Sequence, residues 1–169
     1  MTWQTDMTLI IRSIINDLDS SNYTYTDSRI QQAIAVAAQL VQKEITFPNV
    51  YEVDLSVPSI TPDPTLTTPR DDAFINLVSL KTVVVIYSGE LRLGAKIGIK
   101  VVDGPSQIDA TSMYKNLQEL LNAVVAAYNK ARVDYLLGNS IAGQVISTPI
   151  TSPMSVSPFS YYDYRFGRY

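Results

Sequence analysis

Ser112-Met-Tyr-Lys115 puts a hydroxyl and an amine one helical turn apart, the spacing at which a lysine can activate a serine nucleophile. The companion signatures of that chemistry are missing, and a helix-start serine followed by a surface lysine explains the pattern better. Asp17-Leu-Asp-Ser-Ser21 begins as a calcium loop begins. Its sixth place is Asn22 instead of glycine and its twelfth is Ser28 instead of a bidentate glutamate, so a polar interhelical turn is favoured. Gly89–Lys96 superficially resembles a phosphate loop, but its lysine and hydroxyl residues are out of place, and it reads as a turn between helix and strand. Asp71-Asp72 offers two carboxylates for acid–base or Mg²⁺ work. Sequence neighbours on a helix do not face each other, and Asp71 has a capping role. No catalytic, cofactor-binding or metal-ligating residue is assigned, and the chain reads as a non-enzyme.

Composition points the same way. Histidine and cysteine are both absent, which removes His-based triads, thiol chemistry and nearly every zinc site. At 169 residues the chain is one domain, or one domain and a tail, and long enough to fold without a metal or disulfide. Charged residues are only 17%, a lean towards surface buried against partners. A net charge of −3 and a pI near 4.8 argue against a protein that binds nucleic acid by covering phosphates. The N-terminus lacks a basic signal region, and the apolar run Val83–Tyr87 falls far short of the ~20 residues of a membrane span. The sequon at Asn22-Tyr23-Thr24 is read as coincidence, and the chain as soluble and made in a cytoplasm.

The expected fold is mainly α: a helical bundle with a small two-stranded β element and an extended C-terminal arm. Met7–Leu18 repeats apolar residues at helical spacing, with Thr5 or Asp6 as cap. Thr26 caps a second helix to about Ile45, with Tyr25 and Ile30 as a hydrophobic staple and Ile30, Ala33, Ile34, Ala37, Val41 and Ile45 facing inward. Pro48 ends it. Val50–Val57 alternates as a half-exposed strand with Tyr51, Val53, Leu55 and Val57 on one face. Pro58–Pro69 holds four prolines and is expected to be irregular or polyproline-like. Thr68, Pro69 and Asp71 suit N-cap, N1 and N3 of a third helix running to about Ser88, with Phe74, Leu77, Val78, Lys81 and Val85 as its stripe. The β-branched run Val83–Ile86 stays helical because the cap at Thr68 is strong and the periodicity continues. Ala95–Val102 alternates as a second strand, expected to pair antiparallel with Val50–Val57 so that Glu52 and Asp54 meet Lys96 and Lys100. Thr111 or Ser112 starts the longest helix, to about Leu137, with Gly138 as its C′ residue. Residues 1–143 form the helical domain and 144–169 the arm.

Two features bear on function. Glu44–Asp72 carries six acids against Arg70 alone, −5 locally, so the rest of the chain is slightly basic. This is either strand-to-strand pairing or a solvated face, or else opposite charges on opposite flanks that let copies associate head to tail. The arm is the second feature. Residues 144–169 hold Pro149, Pro153, Pro158 and seven Ser or Thr, and 144–158 form a spacer before a terminus dense in aromatics and arginine. Tyr and Arg anchor interfaces. The residues expected to dock on a partner are Phe159, Tyr161, Tyr162, Tyr164, Arg165, Phe166, Arg168 and Tyr169.

The order is two helices, a strand, a Pro-rich excursion, a capped helix, a strand and a long last helix. With Tyr25–Val41, Arg70-Asp-Asp-Ala-Phe-Ile75 and Ile97–Ser112, it resembles the head–tail connector, or adaptor, family of tailed bacteriophages over about residues 5–137. The resemblance implies a structural virion protein, made in the host cytoplasm, that forms a homo-oligomeric ring in the phage neck. Such a ring is a dodecamer beneath the portal protein, contacting tail or other neck proteins. DNA passes through it without specific binding, and no membrane is involved. A lumen lined by acidic or neutral residues suits that passage. The rivals are another virion part, such as a tail terminator or fibre-attachment ring, and a non-viral binding module.

Overall fold

The Thr26 hydroxyl oxygen accepts the Arg29 backbone N–H at 3.3 Å, and a helix begins there as its sequence predicts. In this computed structural model, which describes residues 2–97, 102–103, 106–107 and 110–138, the order is α1 (Trp3–Ile15), α2 (Asp27–Glu44), β1 (Glu52–Asp54), β2 (Ser59–Thr61), α3 (Asp72–Ile97), β3 (Val102–Asp103), β4 (Ser106–Gln107) and α4 (Ala110–Gly138). The fold is mainly helical, with small antiparallel β elements, as expected. The C-terminal arm lies outside the described residues. The chain divides into two compact units, Met1–Tyr135 and Leu136–Tyr169, and only Leu136–Gly138 of the second are described.

The core is the seam between α1, α2 and α3. Met7 and Ile11 of α1, Ile30, Ile34, Ala37, Ala38 and Val41 of α2, and Phe74, Leu77, Val78, Val83 and Ile86 of α3 are buried together. Alanines on α2 let the helix backbones approach closely. The staple holds, since Tyr25 and Ile30 are both buried. α2 and α3 run antiparallel: Arg29 at the start of α2 pairs with Glu90 late in α3 at 2.9 Å, and Glu44 at the end of α2 pairs with Lys81 at 2.6 Å. Asp72–Gly94 is apolar and long enough to cross a membrane by length and composition alone, and Phe74, Ile75, Leu77, Val78, Val83 and Ile86 within it belong to this core. α4 joins through Tyr128, which is buried, with Val124, Ala131 and Tyr135 packed beside it. Phe47 links them, its ring 5.2 Å from both Phe74 and Tyr135.

Four expectations about local structure are corrected. α1 starts at Trp3 and stops at Ile15, where Asn16 turns left-handed at φ 58°. Its first turn is held from a distance: the Trp3 N–H donates to the Asp63 carboxylate at 3.0 Å. Leu18, expected on the inner stripe, is exposed.

The cap of α3 is Asp71, not Thr68. Asp71 Oδ1 accepts the Phe74 N–H at 3.0 Å, the bond that defines an N-cap, so the helix begins three residues later than the Thr-Pro pattern indicates.

The expected pairing of Val50–Val57 with Ala95–Val102 is not found among the described residues. β1 pairs with the nearby β2, Val53 opposite Ile60, within the segment expected to be irregular. The Asp54 carboxylate accepts the N–H and hydroxyl of Ser56 at 2.8 and 2.6 Å and so bends the chain back at once. A local partner closes a far smaller loop than one forty residues away. The turn also ends the alternation: Tyr51 is buried and Val53 half-buried, but Leu55 and Val57 are exposed.

Ala95–Ile97 is the last turn of α3, and β3 pairs only with β4, Val102 opposite Gln107. Gly89–Lys96 is likewise helical and not the turn expected. Helix propagation gains one hydrogen bond per residue, so an established helix runs through a short alternating stretch. Lys100 lies outside the described residues, so the expected meeting of Glu52 and Asp54 with Lys96 and Lys100 is left without its strand pairing.

Candidate functional site

Acidic residues between 44 and 72 are sorted by the fold into structural and displayed ones. Glu44 accepts Lys81 Nζ and the Tyr128 hydroxyl, each at 2.6 Å, and joins α2, α3 and α4. Burial alone would raise its pKa; the bonds from Lys81 and Tyr128 outweigh this and hold it below the usual carboxylate value. Asp63 accepts the N–H of Trp3 and of Thr65. Asp71 caps α3 through one oxygen and accepts the Tyr51 hydroxyl at 2.7 Å through the other. The Tyr51 ring stacks on Phe74 at 4.0 Å, and burial together with Asp71 drives its hydroxyl pKa well upward. Asp72 pairs with Arg70 at 2.9 Å.

That leaves Glu52 and Asp54, both exposed on β1. They edge an open depression of about 440 Å³ with Val53, Leu55, Ser59 and Thr61. Val57, 69% exposed, and Leu55, 45% exposed, lie in the turn beyond. The hairpin is therefore acidic along β1 and apolar at its turn, and its base is fixed by Tyr51 to the start of α3. Such a surface can bind a basic and apolar partner; it holds no nucleophile–base pair.

The chemical motifs in the sequence resolve into structure. Asp17 belongs to a buried charge hub and to no cation loop. Its carboxylate accepts Arg12 Nη1 at 2.7 Å and the Thr24 N–H at 2.9 Å. Arg12 also donates to the Tyr25 carbonyl at 2.8 Å and to Asp27 at 2.6 Å, and lies 3.5 Å from the centre of the Tyr23 ring. The hub fixes the α1–α2 corner. Its sequence signal was an arginine at the end of an apolar stripe facing acids at 17 and 27. Lys115 is exposed on α4, and the Ser112 side chain lies outside the described residues. Asp71 and Asp72 do diverge, one to Phe74 and Tyr51, the other to Arg70. No group of three acids is placed to hold a metal among the described residues. The predicted docking residues Phe159, Tyr161, Tyr162, Tyr164, Arg165, Phe166, Arg168 and Tyr169 all lie outside the described residues.

No family model matches the chain, and searches of curated proteins and of solved structures return no match either.

Proposed function

We propose that this chain is a structural virion protein that forms a ring in the neck of a tailed bacteriophage, joining portal protein to tail and letting DNA pass. The ring has twelve copies in this reading, and the aromatic C-terminal arm docks on a neighbouring protein. The observation that carries it is the order of elements. Two helices, a strand-bearing Pro-rich excursion, a capped core helix, the short β3–β4 pair where a longer strand was expected, and a 29-residue last helix follow one another, and this order supports the reading.

The test is fractionation of particles. The chain should co-purify with DNA-filled heads, and cryo-electron microscopy should place it at the head–tail junction around a lumen without a Lys/Arg belt. Density at the tail tip or on the fibres assigns it to another virion part. Free protein that binds a small ligand and never enters particles refutes the virion reading.

A further inference from the structure

The two ends of α3 carry opposite surfaces. At its start the Tyr51–Asp71 bond and the Tyr51–Phe74 stack root the β1–β2 hairpin. Arg70 at this end is paired with Asp72 and Asp6, so the charge left on display is that of Glu52 and Asp54, beside exposed Leu55 and Val57. Near its far end Glu90 is neutralised by Arg29. Arg92 is exposed there, beside Leu93, which is 52% exposed. One end is thus acidic and apolar, the other basic and apolar.

One copy cannot bring these surfaces together. Twenty residues of continuous helix separate Asp72 from Arg92, and at 1.5 Å per residue that is about 30 Å. Within one copy the two surfaces therefore do not cover each other. We propose that the β1–β2 hairpin of one copy docks on the C-terminal end of α3 of the next, with Glu52 and Asp54 facing Arg92, and Leu55 and Val57 against Leu93. The occupant of each surface is a second copy of this chain, because each copy carries the complement of what it displays. The two surfaces are different, so the contact is heterologous. It repeats from copy to copy and closes into a ring when the rotation per step allows. This rests on the ring-forming reading above and names the contact that reading needs.

Two full-length variants test it, Glu52→Lys on the hairpin and Arg92→Glu on α3. Both sites are on the surface, so circular dichroism melts should match the wild type. Sedimentation and native mass spectrometry at low ionic strength should show the wild type associating and each variant associating about tenfold more weakly or worse. Mixing the two variants restores opposite charges at every junction. The new lysine on one hairpin faces the new glutamate on the neighbouring α3, and the unchanged hairpin of that neighbour faces an unchanged Arg92. Association should then return, with alternating copies and even-numbered masses. Val57→Ser should weaken association at high salt as well, where the effect of the charge reversals fades.

The proposal is overturned if the wild type stays monomeric at low ionic strength, if the reversals associate as the wild type does, or if mixing restores nothing. It is also overturned if truncation after Gly143 abolishes association while Arg92→Glu leaves it intact, since the arm would then be what covers the hairpin. Restored association by a chain that never enters virions would refute the neck reading and leave this contact standing. A chain found in the neck whose reversed variants assemble normally would do the opposite.

Discussion

Replacing Arg12 by methionine should destabilise the protein far more than an ordinary surface substitution. Arg12 is 3% exposed and reaches Asp17, Asp27 and the Tyr25 carbonyl at 2.6–2.8 Å. Methionine fills much of the stem's volume, so little of the loss comes from a cavity. What remains is Asp17, 8% exposed and without its counter-ion. Removing one partner of a buried pair costs about 3–5 kcal/mol. For a chain of this length that corresponds to a fall in melting temperature of roughly 8–16 °C. The pH dependence carries the same signature. Burial pushes the Asp17 pKa up, but the N–H groups of Thr24 and Tyr25 and the Arg12 guanidinium outweigh burial and hold it below its ordinary value. A depressed folded-state pKa means stability present above the unfolded value and lost as pH falls through the folded one. Wild-type stability should therefore drop below about pH 4, and Asp17→Asn should remove that part of the drop. Arg12→Met with Asp17→Asn should be more stable than Arg12→Met alone, because the unpaired buried charge is gone. Urea denaturation at several pH values measures all three. A loss under about 1 kcal/mol for Arg12→Met, or a double variant worse than the single, would refute the view that a desolvated ion pair holds the α1–α2 corner.

Asp71→Ala should cost about 1–2 kcal/mol by removing the α3 cap, whereas Thr68→Ala should be nearly neutral; thermal melts of the two compare the cap sites directly. Tyr128→Phe removes the hydroxyl that Glu44 accepts from α4 and should cost about 1 kcal/mol, with amide exchange rising first in α4. Glu44 has a depressed pKa, so this tie holds at neutral pH and weakens as acid protonates it; exchange measured at falling pH should show α4 loosening, and an α4 indifferent to pH counts against the tie. Truncation after Gly143 should leave the domain folded, with nearly the full-length melting temperature, while incorporation into particles falls sharply. A truncated chain that fails to fold would place the arm in the domain's own core.

Helices were legible wherever one chain segment carried its own signal. Thr26, the staple at Tyr25 and Ile30, and the 3.6-residue apolar repeat fix α2 to within a residue, since every group involved lies within a few turns. Val83–Ile86 stayed helical against its β-branched composition because the buried stripe from Phe74 onward runs through it. The absence of histidine and cysteine likewise narrowed the chemistry without any structure.

Strand pairing was not legible. Alternation tells which residues share a face but not which partner that face will meet, and Val50–Val57 suited a distant strand as well as a near one. The choice was made by the Asp54 turn, which returns the chain within a few residues. The acidic run showed only a sum of charge. Tertiary structure divided that sum, tying Glu44, Asp63 and Asp71 to donors elsewhere in the chain and leaving Glu52 and Asp54 exposed on β1, whose hairpin is rooted at the opposite end of α3 from Arg92. Sequence sets how many charges a segment carries. Which of them are tied by side chains and which stay exposed depends on donors brought close by folding, here Trp3, Tyr51 and Lys81, each 20–60 residues away along the chain.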